Sequence, residues 1–270
     1  VYFGNMLLRS GGEIGYHGYN HQPLSPKSLD YKGVYSYHTW EESAMVSAMK
    51  ELVRFNEELF PNVEKSVYVP PSNVLSAEGR KVLVEEIPEI KTIASSYFPG
   101  DFAYDQEFEW ASDGMVEQPR IISGGMLDDF MQLAAFSELN MHFVNSHFIH
   151  PDDTLDVDRG AELGWAVLKS NLEHYISWLK SSAPDLRDLT GSQLSGAIQR
   201  YSALVPKQER TATGIEWTFD HFYDEVYLFV RINEGQVGSH VNGGTLTHLT
   251  GNLYLLKATQ AKVTMDWSEE

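Results

Sequence analysis

His17 and His21 stand four residues apart in the stretch Gly12-Glu13-Ile14-Gly15-Tyr16-His17-Gly18-Tyr19-Asn20-His21-Gln22-Pro23-Leu24. A neutral imidazole is the commonest side-chain ligand for zinc and related ions. An H-x3-H spacing predicts two rings on one side of a single helical turn, close enough to share a metal. Such a pair is half a site, because a catalytic zinc takes about three protein ligands plus an open position. The pair is not a zincin helix: Gly18 stands where that motif has its general-base glutamate. Gly15 and Gly18 flank His17 and let backbone approach closely.

Two further clusters carry groups able to do chemistry. Asn145-Ser146-His147-Phe148-Ile149-His150-Pro151-Asp152-Asp153 follows an apolar run that reads as a strand. A histidine at such a strand end can protonate a leaving group, and an adjacent carboxylate can tune it. The plainer alternative is a strand-end histidine bonded to backbone, with Asp152 or Asp153 capping the next segment. Tyr68-Val69-Pro70-Pro71-Ser72-Asn73 is the third cluster. Its prolines stiffen a strand exit, Tyr68 can stack on a sugar and Asn73 can bond to one; the alternative is an ordinary strand exit.

These clusters must be positioned by the elements around them. Residues 11–24 read as strand and then loop, broken by Gly18, Asn20 and Pro23. Thr39-Trp40-Glu41-Glu42 has the form of a capping box. Met45, Met49, Leu52, Phe55 and Leu59 follow it at helical spacing until Pro61. Val67–Val69 reads as a strand, and Ser76 as the cap of a helix over 77–86. Lys91–Ser96 reads as a third strand, and 97–125 as a long irregular loop. Helices are expected over 126–139, 161–179 and 190–204, and a strand over 141–146. After Pro206 the period becomes two: Val226, Leu228, Val230 and Ile232 alternate along one run, and Val263, Met265 and Trp267 along another. The aromatics Trp217, Phe219, Phe222, Tyr223, Tyr227 and Phe229 of this tail read as sheet core, or alternatively as a sugar platform. The fold class expected is therefore α/β: a parallel barrel over residues 1–205, followed by a small all-β unit over 206–270.

Composition bounds the partners. The 270 residues carry a formal charge of −18, with 38 acidic against 20 basic side chains. That argues against nucleic acid or an anionic membrane as the main partner. With no cysteine, any metal site must use histidine and carboxylate. No stretch approaches the ~20 apolar residues of a membrane-spanning helix. The chain opens on Val1 in core-like sequence with no signal peptide visible, which reads as a fragment of a longer protein.

Taken in order, Gly-x-Glu-Ile-Gly-x-His-Gly-Tyr-Asn-His, the Pro-Pro-Ser-Asn exit and Asn-Ser-His-Phe-Ile-His-Pro-Asp-Asp resemble the polysaccharide deacetylase (NodB-homology) superfamily, over about residues 1–180. More narrowly, they look like an uncharacterised bacterial branch of it, with domains like those of Pel-type exopolysaccharide clusters. The resemblance implies a distorted (β/α)7 barrel, here lacking its first strand, that holds one divalent ion, zinc in many members, on Asp-His-His. His17 and His21 match the two histidines, with Gly18 in place of the usual hydroxyl residue. His147 best matches the histidine that protonates the leaving amine, and His150 is the competing choice. Tyr68, Pro71, Asn73 and Asp152 fall where the substrate groove is expected. The arginine of the groove's Arg-x-x-Pro motif is absent, and so is the Thr-Phe-Asp-Asp-Gly motif that supplies base and third ligand. The implied activity is removal of N-acetyl groups from an extracellular or cell-surface polysaccharide, with other exopolysaccharide biosynthesis proteins as partners. A non-catalytic glycan-binding barrel and an O-deacetylase are the alternatives.

Overall fold

The structure, a computed structural model, describes residues 1–31, 35–94, 107–126 and 128–268. The chain divides into two compact units, Val1–Ile198 and Gln199–Glu270.

The first unit is mixed α/β. After helix α1 (Tyr2–Arg9) comes a short antiparallel pair, β1 (Leu29–Tyr31) and β2 (Tyr35–Tyr37). Helix α2 (Glu42–Leu59), strand β3 (Val67–Tyr68), helix α3 (Ala77–Glu86) and strand β4 (Thr92–Ile93) then alternate. Strands β5 (Glu109–Trp110), β6 (Val116–Glu117) and β7 (Ile122–Ser123) precede helix α4 (Asp129–His142), strand β8 (His147–Phe148) and helix α5 (Gly164–Ser182). Helix α6 (Gly191–Ala203) follows. β3, β4 and β6 pair in parallel, with β5 antiparallel on β6; β7 and β8 form a separate parallel pair. Tyr16 bridges to Tyr68 in parallel and so extends the β3 edge. Among the described residues these strands do not close into a barrel.

The core explains why the helices sit where they do. Met45 and Met49, one turn apart on α2, meet Val82 and Leu83 of α3 over Tyr16, Leu24, Tyr68 and Ile93. Gly79 permits this, since a Cβ there would stand 2.0 Å from the Leu24 carbonyl oxygen. The Ser76 hydroxyl accepts from the Gly79 N–H at 3.0 Å and caps α3. A second cluster, Ile122, Ala135, Tyr175 and Leu179, packs β7 against α4 and α5.

Three local expectations need correction. Thr39 does not cap α2; the cap position is Glu41, with no side-chain bond. The Trp40 indole donates to the Pro23 carbonyl at 3.0 Å, anchoring the chain one residue past Thr39 before the helix starts. Residues 141–146 are not a strand: α4 runs to His142 and ends at Phe143, in the left-handed region at φ 58°. An apolar run cannot be assigned to helix or strand by periodicity alone, and the Asp128 cap on the Met131 amide starts this helix late. Residues 107–125 are not one loop but hold β5, β6 and β7; 95–106 lie outside the described residues, together with the end of the strand expected over 91–96.

The second unit contains seven strands: β9 (Val205–Thr211), β10 (Gly214–Asp220), β11 (Val226–Arg231), β12 (Gln236–Asn242), β13 (Gly244–Thr250), β14 (Leu253–Ala258) and β15 (Lys262–Ser268). They form two antiparallel sheets, β12-β15-β10-β9 and β11-β14-β13. Ile215, Trp217, Phe219, Val263, Met265 and Trp267 from one sheet share a core with Val226, Val230, Leu256 and Ala258 from the other. Tyr223, Tyr227 and Phe229 are exposed, so the tail's aromatics divide between core and surface. No helix among the described residues is long and apolar enough to cross a membrane.

Candidate functional site

Tyr16 places His17. Its N–H donates to the Val67 carbonyl and its carbonyl accepts from the Val69 N–H, both at 2.8 Å. Successive side chains of an extended segment point to opposite faces. Tyr16 therefore enters the core, and His17 emerges beside the β3 exit. The His17 Nδ1–H donates to the Val69 carbonyl at 2.8 Å, which leaves Nε2 as its ligating nitrogen.

The chain then reverses. Gly18 has φ +70°, and a Cβ there would meet Pro71 Cγ at 2.6 Å. A residue with a side chain therefore does not fit at this position. Asn20 and His21 are also left-handed, at φ 49° and 55°. The pair thus lies on a tight loop closed by a 3-10 turn over Tyr19–His21, not on the helical turn that the spacing predicted. The rings still come together, with centroids 4.9 Å apart and planes at 79°. His21 Nδ1 lies 3.0 Å from Tyr37 Oη, which lies 2.7 Å from Ser72 Oγ. With the imidazole donating to Tyr37, the tyrosine hydroxyl donates to Ser72. Burial, followed by the charges of His17 and His150, holds His21 below the usual imidazole pKa and favours the neutral form a metal needs.

The wall beside the pair is strained. Ser72 and Asn73, consecutive residues of the Pro71–Asn73 turn, have φ 51° and 58°. The Asn73 side-chain oxygen accepts from Arg120, whose guanidinium lies 4.5 Å above the Phe148 ring. Burial lowers the Arg120 pKa to about 10, so it remains a cation at neutral pH. Arg120 ties the β3 exit to β8. Sequence reading missed it because it belongs to no motif; its one signal is a lone arginine just past a strand of an α/β unit.

The two histidines of the β8 cluster separate. His147 Nε2–H donates to the Gly124 carbonyl at 2.7 Å, and its ring meets Tyr175 edge-on at 5.2 Å. It links β8 to β7 and to α5. Burial lowers its pKa. His150 packs edge-on to Phe148 at 5.5 Å, on the Arg120 side. Its Nδ1 lies 3.8 Å from the buried carboxylate of Asp153, which Arg159 pairs at 2.9 Å. The His150 N–H also donates to Asp153 at 3.3 Å. Burial first, and Arg159 second, depress its pKa, while Asp153 and Asp152 oppose them. His150 is near enough for its charge to act on His21.

The structure therefore gathers His17, His21, Asn73 and His150 around Tyr37, Ser72 and Arg120. Tyr68 is fully buried in the core, so stacking on a sugar is closed to it. Pro71 is buried and packs where a Gly18 side chain would sit. Asp152 is exposed and acts on His150 through its charge. The donor set fits a divalent ion in part: two imidazoles lie side by side with Nδ1 held by an oxygen, as in metal-bound histidines. Among the described residues no three His, Asp or Glu side chains converge as one ligand set.

Residues 3–255 match a family described as uncharacterised protein conserved in bacteria (DUF2194), and the chain belongs to that family. No curated protein and no solved structure matches it.

Proposed function

We propose that this member of the DUF2194 family is a metal-assisted hydrolase that removes N-acetyl groups from an extracellular or cell-surface polysaccharide. The observation that carries the reading is the His17–His21 pair, each ring tied through Nδ1 to a strand-exit oxygen, with a third histidine beside a carboxylate at another strand exit. His17 and His21 supply two of the ligands in this reading. The parallel strands β3, β4 and β6 and the β7–β8 pair belong to the wall of a distorted (β/α)7 barrel in this reading, with the β-rich unit appended to it.

A divalent ion such as zinc, when held there, polarises an acyl carbonyl. The chain's own residues do the rest. Water adds to the acetamide carbon and gives up one proton to a carboxylate base. The C–N bond breaks as His150 delivers a proton to the departing nitrogen, giving acetate and a free amine. Asp153 stabilises the imidazolium form of His150, and Arg159 keeps Asp153 in place. The strained Ser72-Asn73 turn and Arg120 position the sugar. Because burial and Arg159 lower the His150 pKa below the usual imidazole value, its acid form is already the minority at neutral pH, so activity falls as pH rises toward neutrality.

The test is acetate release from N-acetylated oligosaccharides by the full-length protein with added zinc. His150→Ala lowers the rate by about 10²–10⁴-fold, and His147→Ala changes stability more than rate. Loss of rate in His147→Ala with His150→Ala unaffected would reverse the assignment. Release from O-acetylated substrates alone would make the protein an O-deacetylase. No release from any acetylated substrate would leave a glycan-binding barrel.

A further inference from the structure

Helix α4 turns apolar side chains outward. Eight of its positions are exposed; Phe130, Leu133, Phe136 and Met141 are large and apolar, and Asp129 is the one charge among them. Its other carboxylate, Glu138, is buried. Helix α2 shows the ordinary amphipathic pattern: six of its ten exposed positions are charged, and Phe55 is the one large apolar side chain there.

The four outward side chains of α4 form one patch. A helix turns about 100° per residue, so they lie within an arc of about 140°. Phe130, Leu133 and Phe136 neighbour one another at i+3, and Met141 joins them across Ser137. In chain order the four are 75, 62, 56 and 75 % exposed. With about 200 Å² for a fully exposed side chain of this size, they present about 500 Å² of apolar surface. Scattered exposed apolar residues are ordinary, but a contiguous patch of several hundred Å² marks an interaction site.

Charge and area point to the occupant. The chain has 38 acidic against 20 basic side chains, so two copies repel over most of their surface. The α4 face, with its one carboxylate in the first turn, is where that repulsion is weak. A two-fold axis sets the stripe against itself, apolar on apolar. Phe130, Leu133 and Ser137 have the i, i+3, i+7 spacing of a helix-pair seam, and Phe136 and Met141 flank it. Two such faces remove about 1,000 Å² from water, the area at which a specific interface begins.

We propose that two copies of this chain pair through their α4 faces in a closed two-fold dimer. None of these residues belongs to the candidate metal site, so the proposal stands apart from the hydrolase reading. The experiment is sedimentation equilibrium of the full chain across micromolar concentrations, and twice the single-chain mass is expected. Leu133→Glu and Phe136→Glu each add two carboxylates to the seam and raise the dimer Kd by about a hundredfold or more. Phe55→Glu on α2 and the His17→Ala/His21→Ala variant leave the dimer as it was. Because the chain has no cysteine, Ser137→Cys provides a single thiol for a short bis-maleimide cross-linker. Copies are expected to be joined in that variant, and not in Ser177→Cys on the exposed side of α5. A single-chain mass at every concentration, a mass that grows without limit, unchanged dimerisation in both glutamate variants, or equal cross-linking at both sites would overturn the proposal. The cross-link decides the matter even where a glutamate variant fails to fold.

Discussion

Glu138 carries the sharpest stability consequence. Its carboxylate, 2 % exposed on α4, accepts from the Ser146 amide through both oxygens at 3.1 Å. Burial outweighs those bonds and raises its pKa from 4.5 to about 8. A carboxyl raised in the folded state stabilises it fully below the unfolded value, and the contribution disappears as pH rises through the folded value. Each tenfold change in proton affinity is worth about 1.4 kcal/mol, so the whole interval corresponds to roughly 5 kcal/mol. Glu138→Gln keeps the shape, and its amide oxygen can still accept from Ser146, but it cannot ionise. Urea unfolding of both proteins from pH 5 to 9, followed by far-ultraviolet circular dichroism, tests this. Subtracting the two curves cancels the other titrating groups. The variant is expected to gain on the wild type by about 1.4 kcal/mol per pH unit up to about pH 8, and to hold its advantage beyond. Parallel curves would refute the reasoning.

Two other substitutions probe the frame of the site. Gly18→Ala places a methyl group 2.6 Å from Pro71 Cγ at φ +70°, so a loss of about 1–3 kcal/mol is expected, with weaker zinc affinity by calorimetry; unchanged melting and zinc binding would show that the turn does not need glycine. Arg80→Met strips the fully buried Glu117 of its ion pair while also freeing Asp113, so thermal unfolding should register about 3–5 kcal/mol of destabilisation. A shift under 1 kcal/mol in that second case would mean that Glu117 is held by its other contacts.

The parts of the fold legible in the sequence are those set by local chemistry. Ser76 caps α3 because its hydroxyl reaches the amide three residues on. Met45 and Met49 lie one turn apart and both enter the core. Val263, Met265 and Trp267 alternate inward as period two demands. The parts that were not legible depend on distant partners. The turn at Gly18 is dictated by Pro71, fifty-three residues later in the chain. His147 and Phe148 face opposite ways along β8, and which of the two sides holds the site follows from register, which spacing does not give. Tyr68 reads equally well as a sugar platform or as core until its neighbours are known. Arg120 offers no motif, and only the meeting of two strand exits brings it to Asn73 and Phe148.

The central claim is that His17 and His21 together hold a divalent ion. Its most direct test is calorimetric titration of zinc into the metal-free full-length protein and into its His17→Ala/His21→Ala variant. One ion per chain in the wild type, lost in the variant, is the expected result. No zinc binding by the wild type, or the same binding in both proteins, would contradict it.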